Sequence, residues 1–200
     1  MSSSDDYPTK FTGQTHWVAL CSALALASIL VWTSGLSGAL IWQSGPWQAR
    51  PWSLWSAALA HLSGMHLVGN LLALAVLAVL GAYLQADRAA SLAVLIAWPL
   101  GTMALAWWPQ ITWYSGLSGL LCAMLAVLWV HAALSRANRA VSWALLVVLA
   151  LKLGSEHAWT QPIGYDPNWG FNVVYAAHLA GALAGAMACS AIKLADGRRR

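Results

Sequence analysis

Five polar side chains interrupt strongly apolar stretches of this chain, where ionisable and amide groups are unfavourable and usually serve a function. By type, they could build either a composite site of a hydroxyl, an imidazole and an amide, or a zinc site of three histidines. The choice between these sites depends on the carboxylates nearby and on the helices that carry the five side chains. They are His61, His66, Asn70, Ser118 and His178.

No carboxylate falls inside the predicted apolar spans. This absence excludes aspartyl proteolysis, carboxylate-coupled ion transport and a di-metal carboxylate centre. The spacing of His61 and His66 disfavours zinc, because positions five apart on a helix diverge by about 140°. We therefore predict no metal and no other cofactor. The acidic residues that follow the first span lie in connections or in the tail: Asp87, Glu156, Asp166 and Asp196.

The composition indicates a membrane protein. Of the 200 residues, 60% are hydrophobic and 8% are charged, whereas about a quarter of the residues in a soluble domain are charged. Because a spanning helix needs roughly 20 apolar residues, the predicted fold is an all-α bundle of six transmembrane helices with no room for a soluble domain. The predicted spans are Trp17–Leu40, Ala57–Leu84, Ala89–Trp107, Gly116–Leu134, Ala140–Leu153 and Phe171–Leu194.

The basic residues predict the orientation, because cytoplasmic loops are enriched in Lys and Arg. We expect both termini in the cytoplasm, with a tail at 1–16, the membrane domain at 17–194 and a basic tail at 195–200. The tail at 1–16 lacks a signal-peptide pattern, and without a basic patch interleaved with aromatics the net charge of +4 does not predict nucleic-acid binding. The cytoplasmic face carries Lys10, Arg88, Arg136, Arg139, Lys193 and Arg198 to Arg200, and the opposite face carries Arg50 and Lys152.

Two of the predicted outer connections differ in character. The segment 42–56 is rich in tryptophan, which is typical of a loop at the level of the lipid headgroups. The segment 155–170 contains Pro162, Gly164, Pro167 and Gly170, which disfavour regular structure. It predicts a mobile cover over whatever lies beneath it.

Three of the polar groups lie at a similar depth. Counting back from the basic residue that ends each helix, at about 1.5 Å per residue, places Asn70 and Ser118 roughly 27 Å and His178 roughly 22 Å from the cytoplasmic end. Three helices therefore bring an amide, a hydroxyl and an imidazole to one level in the outer half of the membrane. His66 shares a helix face with Asn70, because the two are four residues apart.

Small residues allow these helices to approach closely. Gly181 and Gly185 form a GxxxG pair on the same face as His178. Gly119 and Ala123 offer a matching small surface just after Ser118. We therefore predict that the two helices pack against each other through these residues.

Three separated motifs resemble those of the rhomboid intramembrane serine proteases. Residues 61–70 (HLSGMHLVGN) resemble HxxxxHxxxN of the second helix, 116–119 (GLSG) resemble GxSG at the start of the fourth, and 177–185 (AHLAGALAG) resemble AHxxGxxxG of the sixth. The GxSG pattern alone is weak, since it also occurs at 35–38 in the first span. Its serine, Ser37, ends a helix that runs the other way, with no histidine placed to serve it.

The resemblance implies a Ser–His dyad without an acidic third member. Ser118 is then the nucleophile and His178 the general base and acid. It also implies that Asn70, His66 and the Ser118 backbone N–H donate to the oxyanion. Supporting roles are predicted for His61, Gly116, Gly119 and Gly181.

The chain departs from the family pattern at two places. A Trp–Arg pair is common in the first outer loop of rhomboids, but here Trp55 is followed by Ser56, so the anchoring role of that arginine is absent or moved to Arg50. An aromatic residue often stacks on the histidine one turn after the serine, where this chain has Cys122. Tyr175 or Tyr114 could compensate for it.

The resemblance implies an endopeptidase of the bacterial inner membrane whose site opens to the extracytoplasmic side. Its substrates are expected to be membrane-anchored proteins. The minimal six-helix length resembles the rhombosortase subgroup, whose substrates carry a C-terminal Gly-Gly, an apolar helix and a basic tail. The alternative is a catalytically silent rhomboid-like protein that binds membrane helices, while a small transporter is disfavoured by the lack of charges within the spans.

Overall fold

A computed structural model describes residues 12–135, 138–167 and 169–197. It contains six long helices, two very short ones and two small two-stranded sheets. The elements are α1 (Thr12–Thr33), α2 (Ser37–Leu40), β1 (Trp42–Gln43), α3 (Ser53–Ser56), α4 (Gly64–Tyr83), α5 (Arg88–Ala104), β2 (Trp113–Tyr114), α6 (Ser118–Leu134), α7 (Arg139–Glu156), β3 (Gly164–Asp166), β4 (Phe171–Val173) and α8 (Tyr175–Gly197).

Four of these helices are long and apolar enough to cross a membrane, so the chain is a multi-pass membrane protein. These stretches are Gln14–Thr33 in α1, Gly64–Tyr83 in α4, Arg88–Trp107, which is α5 with the 3₁₀ turn that follows it, and Tyr175–Asp196 in α8. α6 is apolar but has only 17 residues. The structure thus has a long helix in each of the six predicted segments, while the count of six spans remains a prediction. Most of the predicted N-terminal tail (1–11), Arg136 and the three C-terminal arginines lie outside the described residues.

Several predicted helix boundaries were wrong, each for a local reason. α1 ends at Thr33 rather than Leu40, because Gly35 adopts a left-handed conformation (φ 72°) that breaks the helix. α4 begins at Gly64 rather than Ala57, because the Ser63 side chain caps it by accepting the His66 N–H. The predicted sixth span began at Phe171, but residues 171–173 form β4, and α8 starts at Tyr175.

The segment 155–170 is more regular than predicted. Its second half joins residues 171–173 in an antiparallel hairpin, with Gly164 opposite Val173 and Asp166 opposite Phe171. The left-handed Gly170 (φ 73°) turns the chain, and its N–H donates to the Asp166 carbonyl (2.9 Å). The expectation of irregular structure was therefore wrong, because a pairing with residues beyond the segment satisfies its backbone.

The segment 42–56, predicted to be the first outer loop, makes polar contacts with α2 and with β2. Trp42, which is fully buried rather than interfacial, pairs with Tyr114 in the β1–β2 sheet. The Arg50 guanidinium donates to the Ala39 carbonyl, and the Ser56 hydroxyl donates to the Leu40 carbonyl (2.9 Å). Of the two alternatives for the missing Trp–Arg arginine, the structure favours Arg50 as the residue that anchors this loop.

α5, α6 and α8 pack at very short range through small residues. A Cβ atom added at Gly181 would lie 2.0 Å from the Gly119 carbonyl oxygen, and one added at Gly185 would lie 2.3 Å from that of Ala123. Gly181 also lies close to α5, since its Cα would lie 3.2 Å from a Cβ added at Gly101. The predicted contact between the two small surfaces is confirmed, and α8 packs closely against both α5 and α6.

At the end of the bundle where α5 begins, Asp87 contacts both α5 and α8. Its carboxylate caps α5 by accepting the Ala90 N–H (2.9 Å) and pairs with Lys193 of α8. Partial burial raises the pKa of the Asp87 carboxyl, but the hydrogen bonds from Lys193 and Ala90 outweigh this and hold it below its ordinary value. The ion pair therefore links α8 to the residue that caps the start of α5.

Candidate active site

The first residue of α6 and a buried histidine of α8 form a hydrogen-bonded pair. The Ser118 hydroxyl lies 2.9 Å from His178 Nε2, and His178 is only 2% exposed. Both helices reach this level as the depth estimate predicted. The serine can therefore pass its proton directly to an imidazole within the protein interior.

The loop before Ser118 has a conformation that only glycine adopts easily. Gly116 has φ 115°, and a Cβ there would lie 2.7 Å from the His66 ring. The Gly116 N–H donates to the Ala57 carbonyl (2.9 Å), and its carbonyl accepts from the Tyr114 hydroxyl (2.7 Å). Burial raises the pKa of Tyr114, so this phenol stays protonated and keeps donating. The two contacts fix the backbone that presents Ser118.

Gly119 and Gly181 lie where the helices that carry Ser118 and His178 come together. Gly119 follows Ser118, and a Cβ there would lie 2.7 Å from the Tyr114 hydroxyl and 3.0 Å from the Ala177 carbonyl. Gly181 lies three residues after His178, almost one turn along α8. Because neither position tolerates a side chain, the two helices can stay close enough for the hydrogen bond.

Asn70 and His66 of α4 line the same cavity as Ser118 and His178. Both are buried, and within the described part of the chain Asn70 Nδ2 and His66 Nδ1 have no hydrogen-bond partner. Unsatisfied buried donors are unfavourable unless a ligand or water pairs with them. Asn70 Nδ2 can therefore donate to a group that enters the cavity, and His66 Nδ1 can do so in the tautomer that carries the proton there.

His61 packs against His66 and does not line that cavity. Its ring meets the His66 ring edge to face, with centroids 5.1 Å apart. Its Nδ1 lies 3.1 Å from the Leu59 carbonyl. Burial lowers the pKa of His61, so the side chain is neutral at pH 7 and contributes no charge to the site.

The cavity has a volume of about 540 Å³ and lies between α4 and α7. One end of the cavity has apolar walls, whereas the other end holds the polar groups. The hairpin covers that end, where Phe171 and Trp169 have ring centroids 5.1 and 5.8 Å from the His66 ring. Trp169 also packs on Gly69, where a Cβ would lie 2.7 Å from its ring. The cover predicted from the sequence is thus a hairpin with two aromatic side chains.

Glu156 is a polar residue of the site that the sequence did not predict. Glu156 was assigned to a loop, but α7 extends beyond the predicted Leu153 and ends at Glu156. Its Oε2 lies 2.7 Å from His178 Nδ1, and its Oε1 pairs with Lys152. The sequence feature that could have predicted it is the helical spacing. Glu156 lies seven residues after the buried Leu149 and therefore on the same face of the helix.

Tyr175 is the nearer of the two tyrosines that could replace the aromatic residue missing at Cys122. Its ring centroid lies 6.3 Å from that of His178. Tyr114 instead donates to the Gly116 carbonyl. Cys122 lines the cavity beside His178 and Glu156, so the missing aromatic leaves this side of the imidazole open to α7.

Comparison with known proteins identifies a matching family. The Rhomboid domain family matches residues 48–194, which include all five polar residues singled out from the sequence. No curated protein sequence matches the chain significantly.

Proposed function

The chain belongs to the rhomboid family, and we propose that it is an intramembrane serine endopeptidase in which Ser118 and His178 cut membrane-anchored proteins. Rhomboids are in general intramembrane serine proteases that act on membrane-protein substrates, although some members are inactive. The observation that carries the proposal is the 2.9 Å contact between the Ser118 hydroxyl and His178 Nε2, at the wall of a cavity with unpaired donors.

The proposed reaction has two stages. Ser118 Oγ attacks the scissile carbonyl carbon while its proton moves to His178 Nε2, and collapse of the tetrahedral intermediate breaks the C–N bond as Nε2 protonates the leaving amine. Water then attacks the ester carbonyl and gives a proton to Nε2. Release of the carboxylic acid product returns that proton to Ser118 Oγ.

The negative charge of each intermediate forms on the former carbonyl oxygen. Asn70 Nδ2, a His66 ring N–H and the Ser118 backbone N–H, at the N-terminus of α6, are proposed to donate to it. His61, Gly116, Gly119 and Gly181 support these donors and the reactive pair through the contacts described above. Support for the donors comes from the unpaired state of Asn70 and His66 in the described structure.

Asn70→Ala is expected to lower kcat by about 10²–10³-fold while KM changes little, because an oxyanion donor acts on the transition state. The measurement is the initial rate of cleavage of a membrane-anchored reporter by purified protein in proteoliposomes. Asn138→Ala is the matched control, since Asn138 directly precedes α7, at the end away from Glu156. Full activity of Asn70→Ala would remove this residue from the oxyanion site.

We propose that substrates enter laterally between α4 and α7. The walls of the cavity there are formed by apolar side chains such as Val76 and Leu80 of α4 and Leu145 and Val148 of α7. Such a lining suits a transmembrane segment, whose unwound end would reach Ser118 beneath the hairpin. The proposed location is the bacterial inner membrane, with six spans, cytoplasmic termini and a site that opens to the extracytoplasmic side.

The proposed substrate class is the Gly-Gly sorting segment of the rhombosortase subgroup. Trp169 and Phe171 press on His66 at the outer end of the cavity, and residues without side chains would fit beneath them. A single-span reporter with Gly-Gly, an apolar stretch and a basic tail is therefore the first to assay, beside one with Leu-Leu in place of Gly-Gly.

Labelling with a fluorophosphonate probe tests the proposed function without knowledge of the substrate. The wild type is expected to be labelled, and Ser118→Ala to stay unlabelled, because only an activated serine attacks the phosphorus atom. Ser37→Ala is the matched control, since Ser37 lies in the second GLSG sequence and should not affect labelling. A wild type as unreactive as Ser118→Ala would instead favour the silent membrane-helix binder.

A further inference from the structure

We propose that Glu156 completes a Ser118–His178–Glu156 triad, in which it acts as a positioning residue on His178. The inference rests on the proposed function and deepens it, since the motifs alone imply a dyad. It is carried by the 2.7 Å contact between Glu156 Oε2 and His178 Nδ1. The same imidazole bonds Ser118 through its other nitrogen, at 2.9 Å.

The two contacts fix the tautomer of His178. A carboxylate has no proton to donate, so the short contact with Oε2 requires the proton of the neutral imidazole to lie on Nδ1. Nε2 then carries the lone pair that accepts the Ser118 hydroxyl. Glu156 thus selects the one neutral form of His178 that can act as a base toward the serine.

Glu156 also stabilises the charge that forms during the reaction. When Nε2 takes the proton of Ser118, the ring becomes an imidazolium inside a site from which solvent is largely excluded: His178 is 2% exposed and the Glu156 side chain 10%. The neighbouring carboxylate offsets this positive charge without taking the proton itself. The proton remains on Nε2 until the leaving amine accepts it.

The position of Glu156 is unfavourable with respect to the dipole of α7. It is the last residue of α7, where a negative charge opposes the helix dipole. It is held there by packing, since Leu149, seven residues earlier, lies in a cluster with Cys122, Ala126 and Ala182 of α6 and α8. These small neighbours let α7 approach the imidazole on the side that the missing aromatic leaves open.

Lys152 determines the orientation that the side-chain amide of Glu156→Gln would adopt. Its ammonium pairs with Glu156 Oε1 and offers only donors. In Glu156→Gln the amide oxygen therefore faces Lys152, and the NH₂ group faces His178 Nδ1. Nδ1 must then accept, the proton moves to Nε2, and Ser118 loses its base.

The experiment measures the rate constant of fluorophosphonate labelling of Ser118 in proteoliposomes, together with kcat and KM for the Gly-Gly reporter. Glu156→Gln is expected to lower the labelling rate by at least about 10²-fold, with a similar fall in kcat and little change in KM. Glu156→Gln combined with Lys152→Met should recover at least about tenfold of this loss, because the amide can then turn its oxygen toward Nδ1.

Glu156→Asp separates a positioning role from a packing role. Gln has nearly the shape of Glu, whereas Asp is shorter but keeps the charge, so a packing role ranks Gln above Asp. The triad predicts the opposite order, with Asp labelled at least about tenfold faster than Gln. The labelling rates are compared only among variants whose thermal unfolding in detergent matches the wild type. Glu156→Gln and Glu156→Asp, each combined with Lys152→Met, give a second comparison of the two substitutions.

The outcomes distinguish the two proposals. An unlabelled wild type would overturn the proposed protease itself. Two results with a labelled wild type would overturn the triad and leave the dyad. In the first, Glu156→Gln is labelled at a rate within about twofold of the wild type. In the second, Glu156→Gln is labelled faster than Glu156→Asp, both alone and combined with Lys152→Met. The triad is supported if the wild type is labelled, Glu156→Asp is labelled faster than Glu156→Gln, and the double variant recovers part of the lost rate.

Discussion

Ser118→Ala and His178→Ala are each expected to lose reporter cleavage, with kcat falling by about 10⁴-fold or more, to the background of the assay. The first variant has no nucleophile, and the second has no group that takes the proton of Ser118 within the buried pair. Since the two residues act as one unit, the double variant should be no less active than either single variant. The measurement is single-turnover cleavage of the reporter in proteoliposomes.

His131→Ala is the control for the histidine. His131 lies on α6 thirteen residues after Ser118, about 20 Å along the helix, and its Nε2 lies 3.2 Å from the Leu84 carbonyl. Its removal should leave kcat unchanged within about twofold. If His178→Ala cleaves at the wild-type rate, or if the rate falls equally in His131→Ala, the Ser–His mechanism is wrong.

Much of the candidate site was predictable because it depends on helices that cross a layer of fixed thickness. Depth could be counted along each helix, so Ser118 and His178 were expected at one level before any contact was known. The small residues beside them, Gly119 and Gly181, indicated which helix faces meet. Residue type and helical period together were sufficient for this part of the site.

Other features depend on where a helix ends, which the sequence determines less strictly. Extending α7 by one turn moves Glu156 from a predicted outer loop onto His178. The hairpin escaped prediction because β4 looked like the start of an apolar helix, and only its pairing with β3 reveals it as a strand. Phe171 could therefore not be assigned to the cover of the site, whereas Trp169 lies in the segment predicted to form it.

Gly181→Val is expected to abolish both labelling and cleavage, and Gly181→Ala to lower kcat by at least about 10²-fold. The added Cβ would lie 2.0 Å from the Gly119 carbonyl oxygen, whereas even a close carbon–oxygen contact needs about 3.3 Å. α6 and α8 must therefore separate by roughly 1 Å or more beside the reactive pair, and a misplacement of 1 Å can reduce a rate about 10²-fold. The measurement is fluorophosphonate labelling together with reporter cleavage.

Gly154→Ala is the matched control, because Gly154 also lies within a helix but a Cβ there meets nothing within 4 Å. Alanine favours the helix by about 1 kcal/mol over glycine, so this variant should unfold at the same or a slightly higher temperature and keep its activity. Gly181→Ala should in contrast unfold at a lower temperature, since its Cβ forces apart α6 and α8, which are in close contact in the wild type. Wild-type labelling in Gly181→Val would show that the close contact of α6 and α8 does not set the distance between Ser118 and His178.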